Sequence, residues 1–169
     1  MRTTFKLSFV FSMLLSIQAL AQQYPQDYFR SPLDIPLALS GTFGELRSNH
    51  FHSGIDIKTQ GVEGKNVYAA ADGHVSRIKI SPWGYGHALY IAHPNGYTTV
   101  YGHLKELSGP LAEYLENQQY SKQKFGLDIY LEANELQVKK GQVVAKSGNT
   151  GGSGGPHLHY EIRKTASQQ

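Results

Sequence analysis

Eight histidines and no cysteine in 169 residues mean that any metal this chain holds must be bound by imidazole and carboxylate. The missing cysteines also exclude a disulfide scaffold, a thiolate zinc site, a cysteine nucleophile and a lipid anchor on cysteine. Three short segments carry the histidines whose spacing suits chemistry. In His157-Leu158-His159 two imidazoles lie two residues apart, which on a strand sets both on one face and turns Leu158, Tyr160 and Ile162 to the other. The run SGNTGGSGGP at 147–156 comes just before, and its small residues let the backbone approach a bound group closely. In HSGIDI, Gly54 and the β-branched Ile55 and Ile57 favour a turn entering a strand over a helix. A ring from the turn, His52, and a carboxylate from the strand, Asp56, could then converge on one cation. His103 ends a strand in TVYGHL beside Gly102.

Each fragment alone also has a plain reading: strand histidines on a solvent face, an aspartate bonding the N–H groups of its own turn, a surface imidazole. Together they offer three ligands, a fourth tetrahedral position left for water, and two further imidazoles. That is the ligand count of a catalytic zinc site, because structural zinc sites close with four protein ligands. His50, just upstream in NHFHSGID, reads as a residue behind the ligands or on the surface.

The elements that must position these groups are mainly strands. HALYIAH, Asn95-Gly96 and YTTVYGH form the strongest hairpin signal, and Asp72-Gly73 between 67–69 and 75–80 forms a second; both dipeptides favour type I′ turns. Further strands are expected over 125–131, 142–145 and 158–162. One helix is expected over 110–119, with Pro110 in its first turn and Leu111, Tyr114 and Leu115 on one face. Pro25, Pro32 and Pro36 make 22–40 an extended arm packed on the domain. Ahead of it, Arg2 and Lys6 precede an apolar run over 7–20 that closes on Ala19-Leu20-Ala21, the pattern of a signal peptide over 1–21 and too short to span a bilayer. The protein is therefore expected outside the cytoplasm, in the periplasm or beyond, with no stable membrane insertion after cleavage. Its 16 Lys+Arg against 13 Asp+Glu then fall to 14 against 13, with no basic run to contact nucleic acid.

Over 41–163 the segments HFHSGIDIKTQGVEGKNVYAAADGHVSRI, YGHALYIAHPNGYTTVYGHL and VKKGQVVAKSGNTGGSGGPHLHYEIR resemble the lysostaphin-type zinc metallopeptidases, the β-lytic and LytM-like peptidoglycan endopeptidases, in order and interval. The resemblance implies a groove-bearing antiparallel β-sheet domain, like the duplicated hybrid motif, over 41–169 with one short inserted helix. It also implies zinc held by His52, Asp56 and His159, with His103 and His157 beside the metal-bound water as general base and oxyanion donor in either order. The implied substrate is the peptide part of cell-wall peptidoglycan, its stem peptides or cross-bridges. The bond is either a glycine bridge or the D-alanyl cross-link, the latter favoured here. An insertion over 105–136 departs from the pattern and could reshape one wall of the groove.

Two other classes compete. Some relatives with this fold lose their ligands and activate an amidase by protein contact, but all five expected residues are present here. A lipoyl- or biotinyl-like carrier would use VKKGQVVAKSG, yet neither Lys139-Lys140 nor Lys146 has the flanking context, and the histidines stay unexplained.

Overall fold

The computed structural model describes residues 26–48 and 50–168; the expected leader lies outside them. Ten strands and one helix follow in the order β1 (Leu39–Gly41), β2 (Ile55–Lys58), β3 (Asn66–Tyr68), β4 (Gly73–Ile80), β5 (His87–Ala92), β6 (Tyr97–Leu107), α1 (Pro110–Lys122), β7 (Leu127–Tyr130), β8 (Gln137–Val138), β9 (Val143–Ser147) and β10 (His157–Lys164). All pair antiparallel in one sheet of order β1-β2-β10-β6-β5-β4-β7, with β8 on β4 and β9 bridging β3 and β6. Among the described residues the fold is thus mainly antiparallel β with a single helix, as expected.

β-branched and aromatic residues open β6 as YTTVY, and the core gathers where the inward side chains of the sheet meet: Val67, Ile78, Leu89, Ile91, Tyr101 and Leu158 are wholly buried. Helix α1 closes part of this core with Leu111, backed by Ala112, Tyr114 and Leu115, the face expected from its spacing. In β10, Leu158 and Tyr160 face the core as expected, but Ile162 is 46% exposed. Of the expected arm, residues 22–25 lie outside the described residues, and the described part packs on the domain. Arg30 N–H donates to Ala70 O, Tyr68 N–H to Pro32 O and Lys58 N–H to Ala38 O, while Leu33 is buried.

Three local expectations are corrected. Residues 67–69 do not fold back on β4; β3 pairs with β9, Val67 facing Ala145. A type I′ turn needs positive φ at both central residues, and neither Asp72 nor Gly73 has it. Gly73 instead opens β4 against Ala92 O, where a Cβ would sit 2.3 Å away, and Asp72 accepts from Lys140 N–H. The second hairpin does form, β5 against β6, but through Pro94: Gly96 N–H donates to His93 O and only Gly96 has positive φ, at 81°. Proline's fixed negative φ rules out type I′, so the turn is closed by a glycine bulge. Lastly, β6 does not end at His103. It continues to Leu107 through a bulge, His103 itself at φ 56°, and passes from pairing with β5 and β10 to pairing with β9, Leu104 opposite Ser147.

A buried polar chain ties the β5–β6 hairpin to the corner at 69–73. Ala70 N–H donates to the Tyr101 hydroxyl at 2.9 Å, which meets the Thr99 hydroxyl at 3.1 Å; Thr99 meets His93 Nε2 at 2.8 Å, and His93 Nδ1–H donates to Asp72 O. Burial pushes the Tyr101 phenol up to about 12, so it stays protonated. Tyr101→Phe strands a buried N–H and is expected to cost about 1–3 kcal/mol. Urea unfolding at unchanged slope measures this, and an unshifted midpoint would show that the chain does not bear on stability.

Candidate metal centre

Strand register brings the first two groups together. Asp56 on β2 lies directly opposite His159 on β10, and His159 lies opposite Gly102 on β6. His52 comes in from the preceding turn, which can press against β10 only because residue 54 is glycine. A Cβ there would fall 2.4 Å from Tyr160 O and 2.6 Å from Glu161 Cγ. His157 precedes His159 by one strand period on the same face, and the bulge at His103 swings its ring to within 4.7 Å of the His157 ring. All five side chains expected from the sequence therefore meet at one place.

Their tautomers are set from outside. His52 Nδ1–H donates to Thr42 O at 2.9 Å, His103 Nδ1–H to Thr150 O at 2.8 Å, His157 Nδ1–H to Gly155 O at 2.8 Å, and His159 Nε2–H to Glu161 Oε1 at 2.7 Å. In neutral rings so anchored, the other nitrogen is a bare lone pair. Three of these inward atoms form a tight triangle: His52 Nε2 to His159 Nδ1 is 3.0 Å, His159 Nδ1 to Asp56 Oδ1 2.9 Å, and His52 Nε2 to Asp56 Oδ1 3.1 Å. Acceptors this close repel one another unless a positive charge sits among them. Four ligands at 2.0–2.1 Å around zinc stand about 3.3 Å apart, close to these edges. His52, Asp56 and His159 thus fit a divalent cation, and their nitrogen and carboxylate donors suit zinc.

The electrostatics show the same demand for positive charge, which protons on His157 and His159 meet when no cation is bound. Burial opposes a charge on Asp56, but hydrogen bonds with His157 and His159 outweigh it and hold the carboxyl well below the usual carboxylate range. Burial likewise opposes charge on His157 and His159, yet contact with Asp56, and with Glu161 for His159, raises both. His103 is different: burial prevails over its Thr150 contact and pushes it down to about 4, so it is neutral at pH 7.

Three supporting residues were not singled out from sequence. Glu161 is fully buried; burial alone would raise its carboxyl, but contacts from His159, Arg163, Tyr85 and Ser53 bring it down to about 2. It fixes the tautomer of His159, and its position one strand period beyond His159 was the available signal. Tyr85, on the loop before β5, stacks on the His159 ring at 4.8 Å and donates to Glu161 Oε1 at 2.6 Å. Arg47 donates to Asp56 Oδ2 at 2.7 Å, which turns Oδ1 inward. His50 lies exposed at the rim and is not among the converging donors.

Above the cluster opens a cavity of about 390 Å³. Its walls come from Arg47 and Ser48, from His50, His52, Ser53 and Asp56, and from the loop at 84–85, His103 and the glycine-rich segment leading into β10. The insertion does not form a wall of it: β7 pairs with β4 at the far edge, five strands along the sheet from β2.

The sequence matches the family model described as Peptidase family M23 over residues 50–122 and 114–169. It is 36% identical over 118 residues to the DD-carboxypeptidase/endopeptidase Mpg of Neisseria meningitidis, covering 70% of this chain and 21% of that protein. It is 30% identical over 143 residues to the peptidoglycan DD-endopeptidase ShyC of Vibrio cholerae, covering 80% and 26%. The murein hydrolase activator NlpD of Escherichia coli is also similar, 32% identical over 72% of this chain and 25% of that one. The chain spans about a fifth to a quarter of the length of these relatives. Among solved structures, a zinc-containing peptidase from Vibrio cholerae superposes with a TM-score of 0.57 at 28% identity, over 80% of this chain and 36% of the other.

Glu161→Gln keeps shape but weakens the hold on His159, so binding of added zinc is expected to weaken about 10- to 100-fold. A chelator competition titration checks this; unchanged affinity would show that Glu161 does not tune the site.

Proposed function

The chain belongs to peptidase family M23, and on that premise we propose that it is an exported zinc metalloendopeptidase that hydrolyses peptide cross-links of cell-wall peptidoglycan. The observation that carries this reading is the set of four outward-anchored imidazoles, three of them directed at one oxygen of Asp56, on the lining of an open groove. The names of the Neisseria and Vibrio relatives support the substrate class. The leader pattern supports export, and among the described residues no helix is long and apolar enough to cross a membrane.

His52, Asp56 and His159 are the ligands in this reading. Zinc, when bound, polarises the peptide carbonyl and brings the pKa of water toward 7. The rest falls to the chain itself. His103 and His157 both present Nε2 to the groove, each held by a carbonyl behind it. One takes the proton of the attacking water and returns one to the leaving amine, and the other hydrogen-bonds the developing oxyanion. Tyr85 and Glu161 hold His159 while Arg47 holds Asp56, so the ligands need little reorganisation. No covalent intermediate is required, and Ser147 and Ser153 are structural: Ser147 accepts from Lys65 N–H, and Ser153 caps Gly155.

Likeness to NlpD favours a second reading, an activator that works by contact with an amidase. Mass spectrometry of muropeptides released from purified sacculi separates the two. The zinc-loaded protein is expected to release new free stem peptides; His157→Ala is expected to keep its zinc and lose about 10²–10⁴-fold in rate, and chelation to abolish release. Zinc-loaded protein that releases nothing alone but stimulates an added amidase would replace the peptidase reading by the activator one.

A further inference from the structure

The groove does not stop at the metal ligands. Beyond Asp56 and His157 it continues into a second lobe of about 540 Å³ that shares Arg47, Asp56, Gly154 and His157 with the first. Two cations, Arg47 and Lys58, line this lobe, and the only acidic residue lining it is Asp56. Arg47 is already engaged with Asp56 Oδ2 and with Glu45 Oε1 at 3.1 Å. Lys58 is exposed, and among the described residues its ammonium has neither a hydrogen bond nor an ion pair.

Register places Lys58 tightly. It follows Asp56 by two residues on β2, hence on the same face, and lies opposite His157 just as Asp56 lies opposite His159. Two residues along a strand span roughly 6.6 Å. A lysine rooted one such step from a ligand reaches groups a few bonds from the scissile carbonyl.

We propose that Lys58 is a specificity residue that receives a carboxylate carried on the carbon next to the scissile nitrogen of the peptide substrate. The inference rests on the endopeptidase reading above and narrows it. In a D-alanyl cross-link to a diamino acid whose acceptor amine sits beside a carboxylate, that group is three covalent bonds from the attacked carbon, roughly 3–4 Å away. A terminal D-alanyl-D-alanine offers the same arrangement. An internal glycine bridge has no carboxylate there, so a free ammonium at this point selects against it. Lys58 contributes binding and orientation and takes no part in proton transfer.

The test uses two synthetic cross-linked peptides that differ only in a carboxylate or a carboxamide beside the scissile nitrogen. Zinc-loaded wild type, Lys58→Gln and Lys58→Arg are assayed by product chromatography, with zinc content measured for each. Wild type is expected to prefer the carboxylate about ten- to a hundredfold in kcat/KM, the range of a charge-assisted hydrogen bond, and mainly through KM. Lys58→Gln is expected to bring that ratio close to one, and Lys58→Arg to restore most of it. A wild type without preference, or a Lys58→Gln variant slowed on both peptides with its ratio intact, would overturn the assignment and leave the endopeptidase reading standing. Hydrolysis of neither peptide by wild type would remove that reading, and the assignment with it.

Discussion

Bare acceptors held about 3 Å apart are the constraint around which this protein is organised. His52 Nε2, His159 Nδ1 and Asp56 Oδ1 repel one another unless a proton or a cation sits among them. Everything around them forces the meeting. Backbone carbonyls and one buried carboxylate fix the tautomers from behind, and Arg47 occupies the outer oxygen of Asp56. The result is a cluster of negative potential that protons fill when the site is empty and that a divalent cation fits. Metal binding and folding are therefore coupled: a cation that binds the native state and not the unfolded chain stabilises the former.

An antiparallel sheet is well suited to impose such a constraint. Register between β2 and β10 sets Asp56 against His159 with no freedom to slide, because a one-residue slip would turn Leu158 and Tyr160 out of the core. Regular strand geometry would aim His103 away from the others. The bulge and the positive φ at that residue bring it in, at a backbone cost on the order of 1–3 kcal/mol that the flanking strands of β6 sustain. Rigid pairing thus supplies most of the site and one local irregularity supplies the remainder.

How far this was legible in the sequence follows from which forces are local. Period-two alternation in His157-Leu158-His159 and the glycine between His52 and Asp56 are local, and they led to side chains that do come together. Glu161 obeys the same alternation and could have been found by extending it one step. Arg47 and Tyr85 could not, since each arrives on a separate loop whose approach depends on the packed sheet. The Asp72-Gly73 hairpin failed for a similar reason: turn preference is a statement about φ, and the buried alanines at 69–71 draw the chain round a corner that tertiary packing defines.

The ends of the sheet have a consequence of their own. One edge is β1, three residues long and irregular in register; the other is β7, four residues long, with Asp128 clamped by Arg77. Unpaired backbone on a long flat edge is a template for adding foreign strands, and short, bulged or charged edges deny it. A sheet this wide, with no disulfide to lock it, thus has short and clamped ends that offer a neighbouring strand little to pair with.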